Sequence, residues 1–376
     1  MRDRSPVIVG IDIGGTKDNV TVLDAAGRFL IDRMIEVPSR VVEGTEPALE
    51  AMEQVFHLGL AHCGVDPRDV VAVGLDTPGP ASATGVISNR GAVNFSLPEW
   101  WGFDVRSALE QRLGVPVVYL NDGNAAALYA HHQRFGATAD TRSSIAAIVG
   151  TGLGGGVVEN GRVVSGAAGM AGELGHIHIP LDGLLEADQP TPTCNCGFRG
   201  DVESVASLTA IRNNLLPYWL DRYPGHSLAS LPIAEAAFAV RGLAEQGDEL
   251  SLHIFRQQAM AIGRLFTIAA NFTDPHAYFV GGGVVEAAPA FREWFLHEVS
   301  ANTVLRDEQR AASVAEIARD EGMDVTQVRR LLRLALLAPD VLERLTESPE
   351  AVLEHVMRRP WPNGWSDQMR VLGPPD

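Results

Sequence analysis

The sequence predicts an α/β protein made of two similar lobes and a helical C-terminal tail. Two observations carry this. Strand-like and helix-like apolar runs succeed one another as β-β-β-α-β-α-β through the first 120 residues. A strand–glycine turn–strand unit then occurs twice, within residues 7–24 and again within 145–163, as a duplicated architecture requires. A chain of 376 residues is long enough for two domains. The expected division is a smaller lobe over 1–120, a larger lobe over 121–305 and a helix-turn-helix-like tail over 306–376.

Residues 7–16, VIVGIDIGGT, read as a buried strand carrying Asp12 and ending in the turn Gly14-Gly15, with Thr16 and Lys17 next. NVTVLD alternates as a second strand, and RFLIDRMIEV reads as a third. Leu49, Met52, Phe56 and Leu60 have helical spacing, with Pro47 suited to the first turn. Residues 70–75 form another strand. Asn94 lies further along, close to Phe95, Trp100 and Trp101, and reads equally as a ligand for a sugar hydroxyl and as a turn residue. After a helix at 105–113 and a strand at 115–120 comes Asn121-Asp122-Gly123-Asn124. Asp122 thus stands at a strand's carboxyl end and a helix's start, where ligands collect in α/β folds. Taken alone, a helix N-cap is the safer reading.

Residues 150–176 organise the second half. Gly150, Gly152 and Gly155 satisfy G-x-G-x-x-G, but a dinucleotide fingerprint needs a helix next. The segment after these glycines is instead VVENGRVV, two apolar runs joined by the hairpin signal Asn160-Gly161. No G-x-x-x-x-G-K-[ST] occurs either. The reading is a glycine turn between strands, with backbone N–H groups free to face phosphate; an ordinary tight turn explains the glycines as well. At the other end Glu173 and His176 suit a polyhydroxy acceptor. Asp12 reads as a carboxylate for Mg²⁺ beside the phosphates. Cys194 and Cys196 can share one metal ion, and His176 and Asp201 are candidates to complete the four ligands zinc needs. Glu203 is expected to start a helix. Further helices are expected at 234–246 and 252–271, then a strand at 277–280 ending in Gly281-Gly282-Gly283. This third turn reads as admitting a nucleoside or as a plain strand–helix turn. From 313 the sequence reads helix, turn at Gly322, helix. Its acidic residues match its arginines, so a packed tail is preferred to DNA binding.

Composition narrows the function. Hydrophobic content of 46% and charged content of 20% are those of a globular protein. A net charge of −17 and a pI near 5.0 argue against broad binding of nucleic acid or anionic membrane. No apolar run approaches the roughly 20 residues of a membrane span, and no signal segment opens the chain. Three cysteines make no disulfide framework, which fits a reducing cytoplasm.

Six motifs together resemble the ROK family (repressors, open reading frames, kinases), and in particular its glucokinase-like sugar kinases. They are GIDIGGTK at 10–17, NDGNAAAL at 121–128, GTGLGGG at 150–156, AGELGH at 171–176, CNCGFRGDVES at 194–204 and GGG at 281–283. The resemblance implies an actin-like (ribonuclease H-like) two-lobe ATPase fold and ATP-dependent phosphorylation of a hexose, glucose first, at the 6-hydroxyl. It implies Asp122 as general base and Asn94, Asn121, Glu173, His176 and Glu203 as hexose ligands. It implies ATP contacts from Asp12, Gly14, Gly15, Thr16, Lys17, Gly150, Thr151, Gly152, Gly154, Gly281, Gly282 and Gly283. Mg²⁺ and Zn²⁺ are the implied metals. His176, Cys194 and Cys196 match zinc ligands, and Asp201 stands where the family has a third cysteine. The implied assembly is a homo-oligomer. Two departures stand out: a longer loop between His176 and Cys194, and a tail unlike the family's Ala/Gly-rich helical ending. The tail keeps two alternatives in view, a sugar-responsive transcriptional regulator and a non-catalytic sugar binder.

Overall fold

The computed structural model describes residues 6–25, 28–33, 35–79, 81–88, 95–309 and 313–316. The described residues fall into two compact units. One runs up to Thr141 and includes Asn160–Ala171; the other comprises Arg142–Glu159 and the chain from Gly172 onward.

In the first unit a mixed sheet has the order β3-β2-β1-β4-β5. Its strands are β1 (Val7–Ile13), β2 (Lys17–Asp24), β3 (Ile35–Pro38), β4 (Val70–Thr77) and β5 (Val117–Asn121). The glycine turn after β1 reverses the chain, so β1 and β2 pair antiparallel from Val7↔Asp24 to Ile13↔Asp18. β4 then lies parallel to β1, and β5 parallel to β4. β1 is apolar on both faces because both are covered, as central strands of α/β sheets are. Helix α1 (Thr45–Cys63) buries Met52, Val55, Phe56 and Leu60 in a core shared with Val9, Ile11, Val20 and Val22. Gly59 permits the close approach, since a Cβ there would lie 2.8 Å from Val20 Cγ2. Gly64 ends the helix in the left-handed conformation (φ 67°) and returns its N–H to Leu60 and Ala61. Helix α2 (Val105–Leu113) precedes β5, and α3 (Asp122–Phe135) comes directly after it.

Two expectations change here. The third strand does not run through 28–37. Only Ile35–Pro38 pairs with β2, and Phe29 makes a single bridge to Leu23. Arg28 closes back on Asp24 instead, through its N–H at 2.9 Å and its guanidinium. The aromatic loop is core: Phe95 and Trp100 are buried edge to face, and the Trp100 indole donates to Val41 O at 2.9 Å. Of the three aromatics near Asn94, Trp101 alone is exposed; Asn94 itself lies outside the described residues.

In the second unit β10, β9, β6 and β7 lie side by side in that order. They are β6 (Ser144–Val149), β7 (Leu153–Glu159), β9 (Ala277–Gly282) and β10 (Ser313–Glu316). β6 and β7 form an antiparallel hairpin across Gly150–Gly152, and β9 runs parallel to β6. The pattern of the first sheet recurs, a central strand flanked by an antiparallel strand on one side and a parallel strand on the other. After β7 the chain passes Asn160 (φ 49°) and Gly161 (φ 73°), the left-handed pair a two-residue hairpin turn requires, into β8 (Arg162–Val163).

Helices α4 (Leu208–Ala210) and α5 (Leu216–Arg222) are joined by a π-helical stretch, Ile211–Leu215. Glu203 does not start this helix. Ser207 caps it, its Oγ accepting the Ala210 N–H, and Glu203 lies in the turns before it. Helices α6 (Ile233–Ala244), α7 (Glu249–Thr273) and α8 (Pro289–Ala301) complete the unit. α7 is capped by Asp248 and buries Ile254, Ile262, Leu265 and Phe266 in the second core. Among the described residues no helix is long and apolar enough to cross a membrane.

The helix expected to open at 313 is instead strand β10, which pairs parallel with the edge of β9. An unpaired strand edge offers a full row of backbone donors and acceptors, and this outweighs the helical periodicity of the sequence. The rest of the expected helix-turn-helix lies outside the described residues.

Candidate active site and metal site

In the first unit the expected site residues gather at the carboxyl ends of β1 and β5. Asp12 is the penultimate residue of β1, and its Oδ2 accepts from Asn19 Nδ2 at 3.2 Å. Gly10-Ile11-Asp12 is in register with Gly74-Leu75-Asp76 of β4, so the Asp12 and Asp76 side chains leave the same face. Asp76 was not singled out from the sequence, although the repeated G-[I/L]-D triplet marks it. The turn closes with Gly14 N–H on Lys17 O at 2.9 Å, and a Cβ on Gly14 would meet that same carbonyl at 2.7 Å. The Lys17 ammonium pairs with Glu36 at 2.6 Å. Next to the turn, Asp18 is buried, and burial first, then Asp12, pushes its carboxyl up to about 8.

The entry to α3 resolves the question of the cap. Asn121, not Asp122, is the N-cap. Its Oδ1 accepts from Gly123 N–H at 3.0 Å and Asn124 N–H at 3.3 Å, while its Nδ2 donates to Gly79 O. Asp122 is thereby the first helical residue, exposed, with its carboxylate at the positive end of the helix.

The second unit brings two glycine turns together. Gly283 N–H donates to Val149 O at 3.0 Å, joining the turn after β9 to the turn after β6. Gly282 needs its positive φ of 86° there, and a Cβ would sit 2.0 Å from Val149 O. Arg241 Nη1 donates to Gly283 O at 2.8 Å, a contact with no signal in the sequence. In the turn at 150–153, Gly150 N–H donates to Gly152 O. The carbonyls of Gly150 and Thr151 accept from Leu208 and Thr209. The Leu153 N–H donates to Glu203 Oε2 at 2.8 Å. Gly154 lies within β7, opposite Ile148. The expectation that the turn's amides face outward therefore needs adjustment: those of Gly150 and Leu153 are used inside the protein.

Behind this turn the expected metal ligands converge. One donor atom each from His176, Cys194, Cys196 and Asp201 lies within 4.8 Å of the others. His176 Nδ1 is 3.3 Å from Asp201 Oδ2, 3.6 Å from Cys196 Sγ and 3.9 Å from Cys194 Sγ; Cys196 Sγ is 3.7 Å from Asp201 Oδ2. A zinc tetrahedron with bonds of about 2.0 Å to N and O and 2.3 Å to S has edges of roughly 3.3 to 3.8 Å. The four distances above, 3.3 to 3.9 Å, lie on or close to those edges, and the other donor pairs lie within 4.8 Å. Hydrogen bonding to Asp201 pushes the His176 imidazole up to about 9. Burial opposes the charge on Asp201, but His176 and the Ser204 N–H outweigh it and hold its carboxyl below the usual range. Burial also pushes the Cys194 thiol up. Cys194 Sγ meets Glu203 Oε1 at 3.2 Å, so Glu203 touches both this cluster and the glycine turn. Glu173 stands half-buried just before the single 3₁₀ turn Leu174–His176.

Two glycine hairpins, an exposed carboxylate at a helix start and a Cys/His/Asp cluster beside a glycine turn define the layout. Residues 8–324 match the ROK family, and the chain belongs to it. It is 30% identical over 285 residues to the glucokinase of Thermotoga maritima, an overlap of 74% of this chain and 83% of that one. It is also 30% identical over 278 residues to the N-acetylmannosamine kinase of Vibrio vulnificus, with 74% and 83% covered. Among solved structures it is similar to a ROK family glucokinase from Streptomyces griseus in complex with glucose and AMPPNP. That likeness has a TM-score of 0.63 and 28% identity, and covers 87% of this chain and 97% of that one. The family's actin-like ATPase fold agrees with the two mixed sheets.

Proposed function

We propose that this ROK-family sugar kinase transfers the γ-phosphoryl group of ATP to the 6-hydroxyl of a hexose, glucose before N-acetylmannosamine, with Asp122 as general base. The observation that carries the reading is the cap of α3. Asn121 is the cap, and the Asp122 carboxylate is exposed at the first helical position, its Oδ1 sharing the Gly123 N–H at 2.7 Å. There it orients the sugar hydroxyl and accepts its proton as the oxygen–phosphorus bond forms and ADP leaves.

Glu173 and Glu203 accept from ring hydroxyls, which suit the two-oxygen acceptor of a carboxylate. His176 contributes Nε2, its Nδ1 facing the cysteines. Asn121 and Asn94 complete the sugar set. The turns at Gly14–Lys17, Gly150–Gly154 and Gly281–Gly283 serve the nucleotide. Asp12 and Asp76, on adjacent strands about 5 Å apart, suit Mg²⁺, which takes one or two carboxylates and neutralises charge on the β- and γ-phosphates. His176, Cys194, Cys196 and Asp201 hold Zn²⁺ as a structural ion that fixes His176 and the approach to Glu203.

The test is Asp122→Asn in a coupled ADP-release assay over a panel of sugars. A positioned base contributes about 10²- to 10⁴-fold. Turnover is expected to fall by that factor while sugar binding persists. Near-normal turnover would remove the assignment.

A further inference from the structure

We infer that Glu203 is a positioning residue of the second glycine turn, acting on nucleotide affinity as well as on the sugar. Its Oε2 accepts the Leu153 N–H at 2.8 Å, and its Oε1 meets Cys194 Sγ at 3.2 Å. One carboxylate therefore spans the turn and the Cys194 cluster.

The glycines of the turn agree with this role. Gly152 does not have a positive φ. Its lack of a side chain serves something else: a Cβ there would lie 2.6 Å from Glu203 Oε2. Gly175 is constrained by the same contact from the other side, since its Cβ would meet Leu153 O at 2.4 Å and Glu203 Cβ at 3.3 Å. Its carbonyl also accepts the Glu203 N–H at 2.8 Å. A turn that receives phosphate must keep its carbonyl oxygens away from the anion. Here Leu208 N–H and Thr209 N–H hold those of Gly150 and Thr151, and Glu203 fixes the amide that ends the turn. An acceptor oxygen in that position satisfies the Leu153 N–H and fixes its direction. The clamp leaves the intervening amides of Thr151 and Gly152 in a fixed frame for the phosphates.

The effect on nucleotide rests on the nucleotide reading above; the clamp itself does not. Two measurements keep them apart. The first is hydrogen exchange at the Leu153 amide. It is expected to accelerate by about tenfold or more in Glu203→Ala and in Gly152→Ala, whose methyl displaces the carboxylate. It stays protected in Glu203→Gln, whose amide oxygen still accepts the N–H. Equal protection in all three variants would overturn the clamp. If Glu203→Ala does not fold, Gly152→Ala and Glu203→Gln decide. The second is titration with MgADP in the absence of sugar. Affinity is expected to fall about ten- to a hundredfold in Glu203→Ala and to recover in Glu203→Gln. Unchanged ADP affinity alongside faster Leu153 exchange would overturn the effect on nucleotide. A wild-type chain that binds no ADP would overturn the nucleotide reading and leave Leu153 protection to judge the clamp.

Discussion

Asp18 is fully buried on the face of β2 that carries Val20 and Val22 towards α1, and among the described residues neither of its oxygens meets a donor. Burial, with Asp12 nearby, raises its carboxyl from 3.8 to about 8. Below about pH 4 both folded and unfolded chains hold this proton and the residue costs nothing by titration. As pH rises to 8 the unfolded chain releases the proton while the folded one keeps it, so stability falls, by on the order of 4 kcal/mol at pH 7. Above 8 the loss levels off. Asp18→Asn removes this dependence. The variant is expected to lose less Tm than the wild type between pH 5 and pH 8, and to melt higher at pH 8. Parallel Tm profiles would refute the burial argument. At the same scale, choosing between Asn121 and Asp122 as helix cap was beyond the sequence, because both residue types cap well. The choice depends on where β5 ends, which puts Asn121 at the capping position and Asp122 one residue into the helix.

At the scale of elements, the segment from His176 to Asp201 brings four donor atoms within 4.8 Å of one another, with His176 Nδ1 3.3 Å from Asp201 and 3.6 Å from Cys196. We expect about one zinc ion per chain by elemental analysis, as for a closed four-ligand site. Asp201→Ala should lose it, and Asp201→Cys should keep it longer against a chelator, since thiolate is the softer ligand. Protein that holds no zinc after purification or reconstitution would sink the site. The sequence supplied all four members of the cluster, because their types and spacing suit a shared metal ion. It did not reveal the contact of Cys194 with Glu203, nor that of Glu203 with Leu153. These join residues 9 and 50 apart, and nothing local records such pairings. Gly152 illustrates the same limit: beside the phosphate role expected of it, it also leaves room for a side chain from elsewhere in the chain, Glu203.

For the whole molecule, two sheets repeat one plan. In each, a glycine hairpin is joined by parallel strands added on the far side of its first strand. In the second sheet the added strand at the edge is β10, contributed by a stretch whose sequence reads as helix. Truncation at residue 312 should expose the edge of β9, lower Tm by several degrees and promote association. A truncated chain that melts like the full one and stays dispersed would mean that β10 adds nothing. The sequence by itself determined the α/β class, the duplicated hairpins, the members of the Cys/His/Asp cluster and the family, because apolar periodicity and short glycine, cysteine and histidine spacings are local. Only the tertiary structure decided which residue caps α3, that 313–316 is a strand, and that one glutamate serves both a glycine turn and a cysteine cluster. Each of those depends on a partner far away in the chain, and long-range packing outweighs local propensity wherever buried backbone and charge must find partners.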